Sequence, residues 1–297
     1  MSDLTNLGGW IRDDKAVEYS MGLLPTPVFG DVWHPTKDSG VGKTVLLYEI
    51  IRSVSKSFPI RTQAIGDCVG QAAAYAVDAA KCVDIHIHKD FEAWVSETAT
   101  EDIYAGSRIL IGGGLDGDGS MGVWAARYCN DYGAVPRGQY GEIDLREYSG
   151  GRAKTWGDDG VPKSLLHIAR QHPILTVSRV DTYEQARDLL ANGYSVTIAS
   201  NQGFKSTRDK DGFATPKGEW AHAMCLLGID DNPQRPGVLC MNSWGIWNDG
   251  PKRLNQPEGS FWIDADVLEE DILSVGDSWA YSGYDGFKPQ KLNTRII

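Results

Sequence analysis

Gln63-Ala64-Ile65-Gly66-Asp67-Cys68-Val69-Gly70-Gln71 is a glycine-marked turn that runs, from Cys68, into the alanine-rich stretch 68–83 (CVGQAAAYAVDAAKCV). Apolar residues recur there at three- and four-residue spacing, which predicts a buried helix opening at Cys68. A thiol in the first turn of a helix faces unsatisfied N–H groups and the positive end of the helix dipole, and both favour thiolate over thiol. Free cysteine ionises near about 8.5, so such help matters to a nucleophile working near neutrality. Cysteines in general are small buried hydrophobes. Cys82, Cys129, Cys225 and Cys240, each inside an apolar run, read that way; Cys68 does not.

Outward from this helix the chain changes character. Residues 1–43 are rich in Gly, Pro and Asp and read as an extended, loop-rich entry. Thr44 to Val54 is apolar on both the strand and the helix period, so its type stays open. Met121 to Tyr132 reads as a helix stopped by Gly133, and Thr182 to Ala191 as another followed by Gly193. Ser195–Ser200, Met224–Ile229, Val238–Asn242 and Gly259–Asp264 are short strand-like runs between turn residues. A helical front and a β-rich back make an α+β layout with two subdomains, and a cleft between them is the natural place for a site. The boundaries expected are an N-terminal extension over 1–57, a helical subdomain over 58–178, a β-rich subdomain over 179–287 and a tail over 288–297.

Composition narrows the function. The 297 residues carry 29 Lys+Arg against 40 Asp+Glu, a net charge of −11, with 41% hydrophobic and 23% charged residues. These are values of an ordinary globular protein. The acidic balance argues against an extended phosphate-binding surface, so nucleic acid is not the expected partner. No apolar run approaches the roughly 20 residues of a membrane helix, and the first residues have neither the basic nor the apolar region of a signal peptide. Five widely spaced cysteines without a CxxC pair make a poor disulfide framework, so free thiols in a reducing, cytoplasmic setting are expected.

A nucleophilic thiol needs a base, and the base an orienting partner. Of six histidines, His222 stands out in Glu219-Trp220-Ala221-His222-Ala223-Met224, at the entry to a strand-like run. Asn242 follows in Cys240-Met241-Asn242-Ser243-Trp244-Gly245. A side-chain amide oxygen there can accept the imidazole N–H and fix its tautomer, and a Trp two residues on can shield that bond from water.

Gln63…Gly66-Asp67-Cys68, then Ala221-His222-Ala223, then Asn242-Ser243-Trp244-Gly245 resembles the papain-like cysteine peptidases in order and local context, over about residues 58–287. The resemblance is nearer to bacterial and bacteriophage members than to lysosomal cathepsins. It implies a papain-like fold, with a helical subdomain and a β-rich, barrel-like subdomain flanking the cleft. It also implies roles: Cys68 as nucleophile and His222 as base in a thiolate–imidazolium pair, for which papain is the general example, with Asn242 orienting His222. The Gln63 side chain and the Cys68 backbone N–H would form the oxyanion hole, with each donor worth about 3 kcal/mol. Asp118-Gly119-Ser120 looks like the family's substrate-cleft segment, so Gly119 and Ser120 would line the non-prime side by backbone hydrogen bonds. Ala221 would wall the second subsite and Trp244 would lie on the prime side. No cofactor or metal is called for.

The pattern departs from the family in several places. Gln63 to Cys68 is one residue shorter than usual, Val69 stands where an aromatic is general, and the disulfide cysteines of secreted members are absent. Asp67 replaces a small residue, and its charge is expected either to raise the thiol pKa or to select basic substrates. No charged helical propeptide precedes the domain. The loop-rich residues 1–57 are open to covering the cleft, mediating assembly, or neither.

Other signals are weaker. Ser39-Gly40-Val41-Gly42-Lys43-Thr44 looks like half a P-loop, but Lys37 stands where the motif needs Gly. His86, His88 and Asp90 are a candidate metal group without a second pair, and a solvated turn is the expected reading. Asp116-Gly117-Asp118-Gly119-Ser120 opens like a calcium loop, but its twelfth position is Arg127. Two functions remain: a thiol peptidase acting on peptide or isopeptide bonds, or a papain-like domain serving a larger assembly such as a phage virion.

Overall fold

The computed structural model describes residues 7–88 and 96–292, with the side chain of His88 outside the description. The chain forms α1 (Asp14–Met21), β1 (Thr44–Leu46), α2 (Leu47–Ser55), α3 (Cys68–His88) and α4 (Thr100–Gly106), which continues through a wider turn to Ile111. Then come α5 (Gly122–Asp131), the small hairpin β2–β3 (Gln139–Tyr140, Ile143–Asp144), α6 (Gly150–Asp159), α7 (Lys163–Ala169), β4 (Thr176–Arg179) and α8 (Tyr183–Ala191). The second half is β5 (Val196–Arg208), β6 (Ala214–Asp230), β7 (Gly237–Met241), β8 (Ser260–Asp264), the short α9 (Ala265–Val267) and β9 (Trp279–Ser282).

The main sheet is antiparallel, in the order β4-β9-β5-β6-β7-β8, with β1 pairing to the far end of β6. Helix α3 is buried almost throughout its first half because alanines at 72–74, 76, 79 and 80 let it lie close between the other helices and the sheet. Gly70 is part of that fit, since a Cβ there would stand 3.0 Å from the Tyr104 side chain. The architecture is α+β, with the helices packed around one antiparallel sheet.

The open stretch 44–54 resolves into both possibilities: three strand residues, then helix α2. The entry is less loop-like than expected, because Asp13 caps α1 by accepting from the Lys15 and Ala16 N–H groups, both at 3.0 Å. His86 lies on α3 rather than in a turn, and Asp90 falls outside the described residues. All five cysteines are free and buried. The backbone N–H groups of Asp38 and of Gly40, the first of the P-loop-like glycines, donate to the Asp188 carboxylate at 2.7 and 2.9 Å. Those donors are already taken by an internal side chain.

Candidate active site

Cys68 is the first residue of α3 and is fully buried. The turn ahead of it is held on both sides. Arg61, itself buried, pairs with the buried Asp78 of α3 at 2.6 Å and donates to Thr98 O and Thr100 Oγ1. Thr62 then forms an antiparallel bridge with Trp244, flanked by Gln63 N to Ser243 O (2.8 Å) and Gly245 N to Arg61 O (3.0 Å). The backbone of Asn242-Ser243-Trp244-Gly245 is thereby laced to the turn that carries Gln63 and Cys68.

His222 lies on β6 opposite Ser200 of β5. The β6–β7 pairing sets Cys225 against Met241, so His222 and Asn242 lie just beyond one end of the paired stretch. The structure accordingly brings the imidazole and the asparagine together: His222 Nε2 is 2.8 Å from Asn242 Oδ1, which also accepts from Ser243 N. Trp244 lies over the imidazole with ring centroids 4.5 Å apart, backed by Trp220 and Trp247 in edge-on contacts. This aromatic wall keeps water from the His222–Asn242 bond.

Gln63 is aimed by its neighbours. Ser243 Oγ donates to Gln63 Oε1 at 2.6 Å, so Nε2 faces the other way and donates to Leu7 O at 2.7 Å and Ile65 O at 2.9 Å. Ser243 has no separate signal in the sequence; its role comes from lying beside Asn242 and across from Gln63.

The chain's own N-terminal segment lies against Ser120 and Ala221. Ile11 N donates to Ser120 O (2.9 Å), Ser120 N to Gly9 O (2.8 Å) and Trp10 N to Ala221 O (3.0 Å). Trp10 and Ser120 form a parallel bridge. The glycines let it through: a Cβ on Gly9 would stand 2.0 Å from Gly66 O, and one on Gly8 2.8 Å from Ala221 O. Gly119 has φ 109°, the left-handed region, and a Cβ there would meet Gly9 O and Ile11 at 3.0 Å. The fully buried Arg108 holds that loop in shape by donating to Gly119 O, Leu115 O and Gly117 O.

Burial shifts both ionisable groups of the site. The Cys68 thiol is pushed up to about 12 by loss of water, against the Ala223 and Gly9 backbone N–H groups that favour the thiolate. His222 is pushed down to about 4 by burial, opposed by its bond to Asn242. His222 Nδ1 is buried without a hydrogen-bond partner. Burial thus disfavours both the thiolate and the imidazolium at this site. Asp67 meets one of its two expectations, since its charge is among the causes that raise the Cys68 thiol. Its Oδ2 accepts from Tyr148 Oη (2.9 Å) and Gln71 Nε2 (3.2 Å), and with the carboxyl fully buried it presents no charge to a substrate.

Among the described residues no group of three or more His, Cys, Asp or Glu is placed to hold a metal ion, and no helix is long and apolar enough to cross a membrane. No family model matches the chain, and no curated protein matches it in sequence. Solved structures do share its fold. Xylellain, a cysteine protease from Xylella fastidiosa, superposes over 94% of this chain and 96% of its own, with a TM-score of 0.56 at 19% identity. Digestive procathepsin L2 from Tenebrio molitor larval midgut covers 95% and 80%, with a TM-score of 0.55 at 13% identity. Procathepsin B S9 from Trypanosoma congolense covers 98% and 89%, with a TM-score of 0.52 at 12% identity. At these identities the likeness is one of fold.

Proposed function

We propose that the chain is a papain-like cysteine peptidase whose own residues 7–11 hold it latent. The observation that carries the reading is the direction of that segment in the cleft. With Gly119 and Ser120 on the non-prime side, a substrate runs from Ser120 towards Cys68, N to C, and offers its scissile carbonyl to the oxyanion donors. The segment runs the other way, from Leu7 beside Gln63 to Ile11 beside Ser120. It uses the binding groups of the cleft without presenting a peptide bond in the reacting sense.

Once the segment leaves, water returns to the cleft and the burial that disfavours both ions is relieved. His222 can then take the Cys68 proton, and the thiolate attacks the substrate carbonyl. The oxyanion is held by Gln63 Nε2 and the Cys68 N–H, and His222⁺ returns its proton to the leaving amine. Water, deprotonated by His222, hydrolyses the thioester. Substrates would be peptides or proteins, with isopeptides chemically equivalent. The N-terminal extension engages this chain's own cleft, which favours latency over a role in joining assembly partners.

Peptide-library cleavage by wild type and Cys68→Ala, each before and after trimming of the N-terminal segment, tests the reading. Product should appear only with the trimmed wild type. Equal product from trimmed Cys68→Ala, or none from either, sinks it.

A further inference from the structure

Between Gln63 and Cys68 the turn has few ties of its own. Asp67 N donates to Ile65 O at 2.8 Å, and Gly66 N reaches Asp118 Oδ2 at 3.5 Å. A further hold comes from outside the turn, through a single phenol oxygen. Tyr148 Oη accepts from Ala64 N at 3.2 Å and donates to Asp67 Oδ2 at 2.9 Å, so it spans the turn from Ala64 to the residue before the thiol. The phenol is itself held by its neighbours in the chain. Leu145 is fully buried, and Ser149 N donates to the fully buried Glu101 of α4 at 2.9 Å. Gly150, at the start of α6, lies so close to Ala64 that a Cβ there would stand 2.7 Å from the alanine methyl.

Asp67 carries this contact further. Its Oδ2 also accepts from Gln71 Nε2 at 3.2 Å. Gln71 Oε1 accepts from Thr100 Oγ1 at 3.0 Å, and Thr100 Oγ1 from Arg61 Nη1 at 3.1 Å. Arg61 precedes the turn and Gln71 lies in the first turn of α3, so the hydrogen bonds run from one side of the turn around to the other and back to Ala64. Asp67, Gln71 and Thr100 are all buried, where a hydrogen bond is strong and a lost partner is costly. Tyr148 closes this circuit. We propose that Tyr148 is a positioning residue of the peptidase site: its hydroxyl fixes the turn whose Gln63 side chain and Cys68 N–H hold the oxyanion. The proposal rests on the peptidase reading and adds to it a residue that acts through Ala64 and Asp67 rather than on the substrate. It also gives the acid ahead of the thiol its part, as the acceptor of the phenol.

Amide hydrogen exchange of the full chain reads the turn without turnover. Tyr148→Phe keeps the ring and removes the hydroxyl, so the amides of residues 64–68 should exchange on the order of ten-fold faster, with those of β6 and β7 unchanged. Asp67→Asn, which still offers the phenol an oxygen, should loosen the turn less than Asp67→Val does. In the Asp67→Val background Tyr148→Phe should add little, because the two changes act on one contact. Unchanged exchange in the turn, or a rise spread evenly over the chain, overturns the proposal.

A second arm reads catalysis in the full-length Gly9→Val chain, whose covering segment collides with Gly66 O. There Tyr148→Phe should lower kcat on the order of ten-fold with KM little changed, a fraction of the roughly hundred-fold or more that a whole oxyanion donor is worth. A lowered melting temperature with kcat unchanged would make Tyr148 a structural residue only, and that outcome also overturns the proposal while the peptidase reading stands. If the Gly9→Val chain cleaves nothing, the peptidase reading falls, and the exchange result still decides whether the phenol holds the turn.

Discussion

Asp67 sits one residue before the thiol and is equally buried, with two donors on one oxygen and a partnerless Oδ1 on the other. Burial pushes its carboxyl up to about 7, partly offset by the Tyr148 and Gln71 hydrogen bonds. An acid whose folded pKa lies above its unfolded value stabilises the fold below the unfolded value, and this contribution is lost as pH rises through the folded one. Asp67→Asn removes that loss. Its stability relative to wild type should therefore improve between about pH 5 and about pH 8, by on the order of 2 kcal/mol. Thermal unfolding of both proteins across that range reads it, and a constant difference would contradict it. Ser243→Ala belongs to the same scale. Without its bond to Oε1 the Gln63 amide is free to turn, so kcat of the trimmed enzyme should fall roughly five- to ten-fold with KM little changed. A change confined to KM would place Ser243 outside the oxyanion machinery.

At the scale of elements, helix α3 is legible in the sequence because its alanines repeat at helical spacing and its glycine-marked entry is local. His222 and Asn242 are legible as candidates because each sits at the end of a short apolar run that becomes β6 or β7. The covering segment is not legible. Leu7-Gly8-Gly9-Trp10 has no periodicity, and its partners stand 56 residues away at Gln63 and 267 at Asp277. Composition marks such a stretch as loop and says nothing of what it touches. The burial of Cys68 is not legible for the same reason: the helix start favours thiolate, but burial acts against it. Gly9→Val isolates this element. The Cβ would collide with Gly66 O, so the segment should leave and Cys68 should be alkylated at least about ten-fold faster near neutral pH, with its apparent pKa well below the covered value of about 12. An unchanged rate would mean that the segment does not control access.

For the whole molecule, the question is how much of the N-terminal region must move for the cleft to open. Beyond Ile11 the chain is exposed at Arg12 to Lys15 and then docks through α1, with Val17 and Ser20 buried. Further on, Trp33 Nε1, Asp38 N and Gly40 N all donate to the buried Asp188 of α8. Thr44 to Leu46 pair with Asp230 to Gly228 of β6, closing the main sheet against the N-terminal region. Residues 14–46 are thus part of the body, and among the described residues 7–11 lie against Gln63, Ser120 and Ala221. Arg12 and Lys15 offer trypsin two exposed bonds at the junction, where the backbone can open locally at little cost. Brief trypsin treatment should therefore remove a fragment ending at Arg12 or Lys15 and leave the remainder folded, its melting temperature lowered by only a few degrees. Cys68 in that product should react at least about ten-fold faster than in the intact chain. Mass spectrometry of the product and its alkylation rate read both halves of the expectation. Loss of everything up to β1, or a product that melts in the cold, would mean that the segment is structural core rather than a detachable cover.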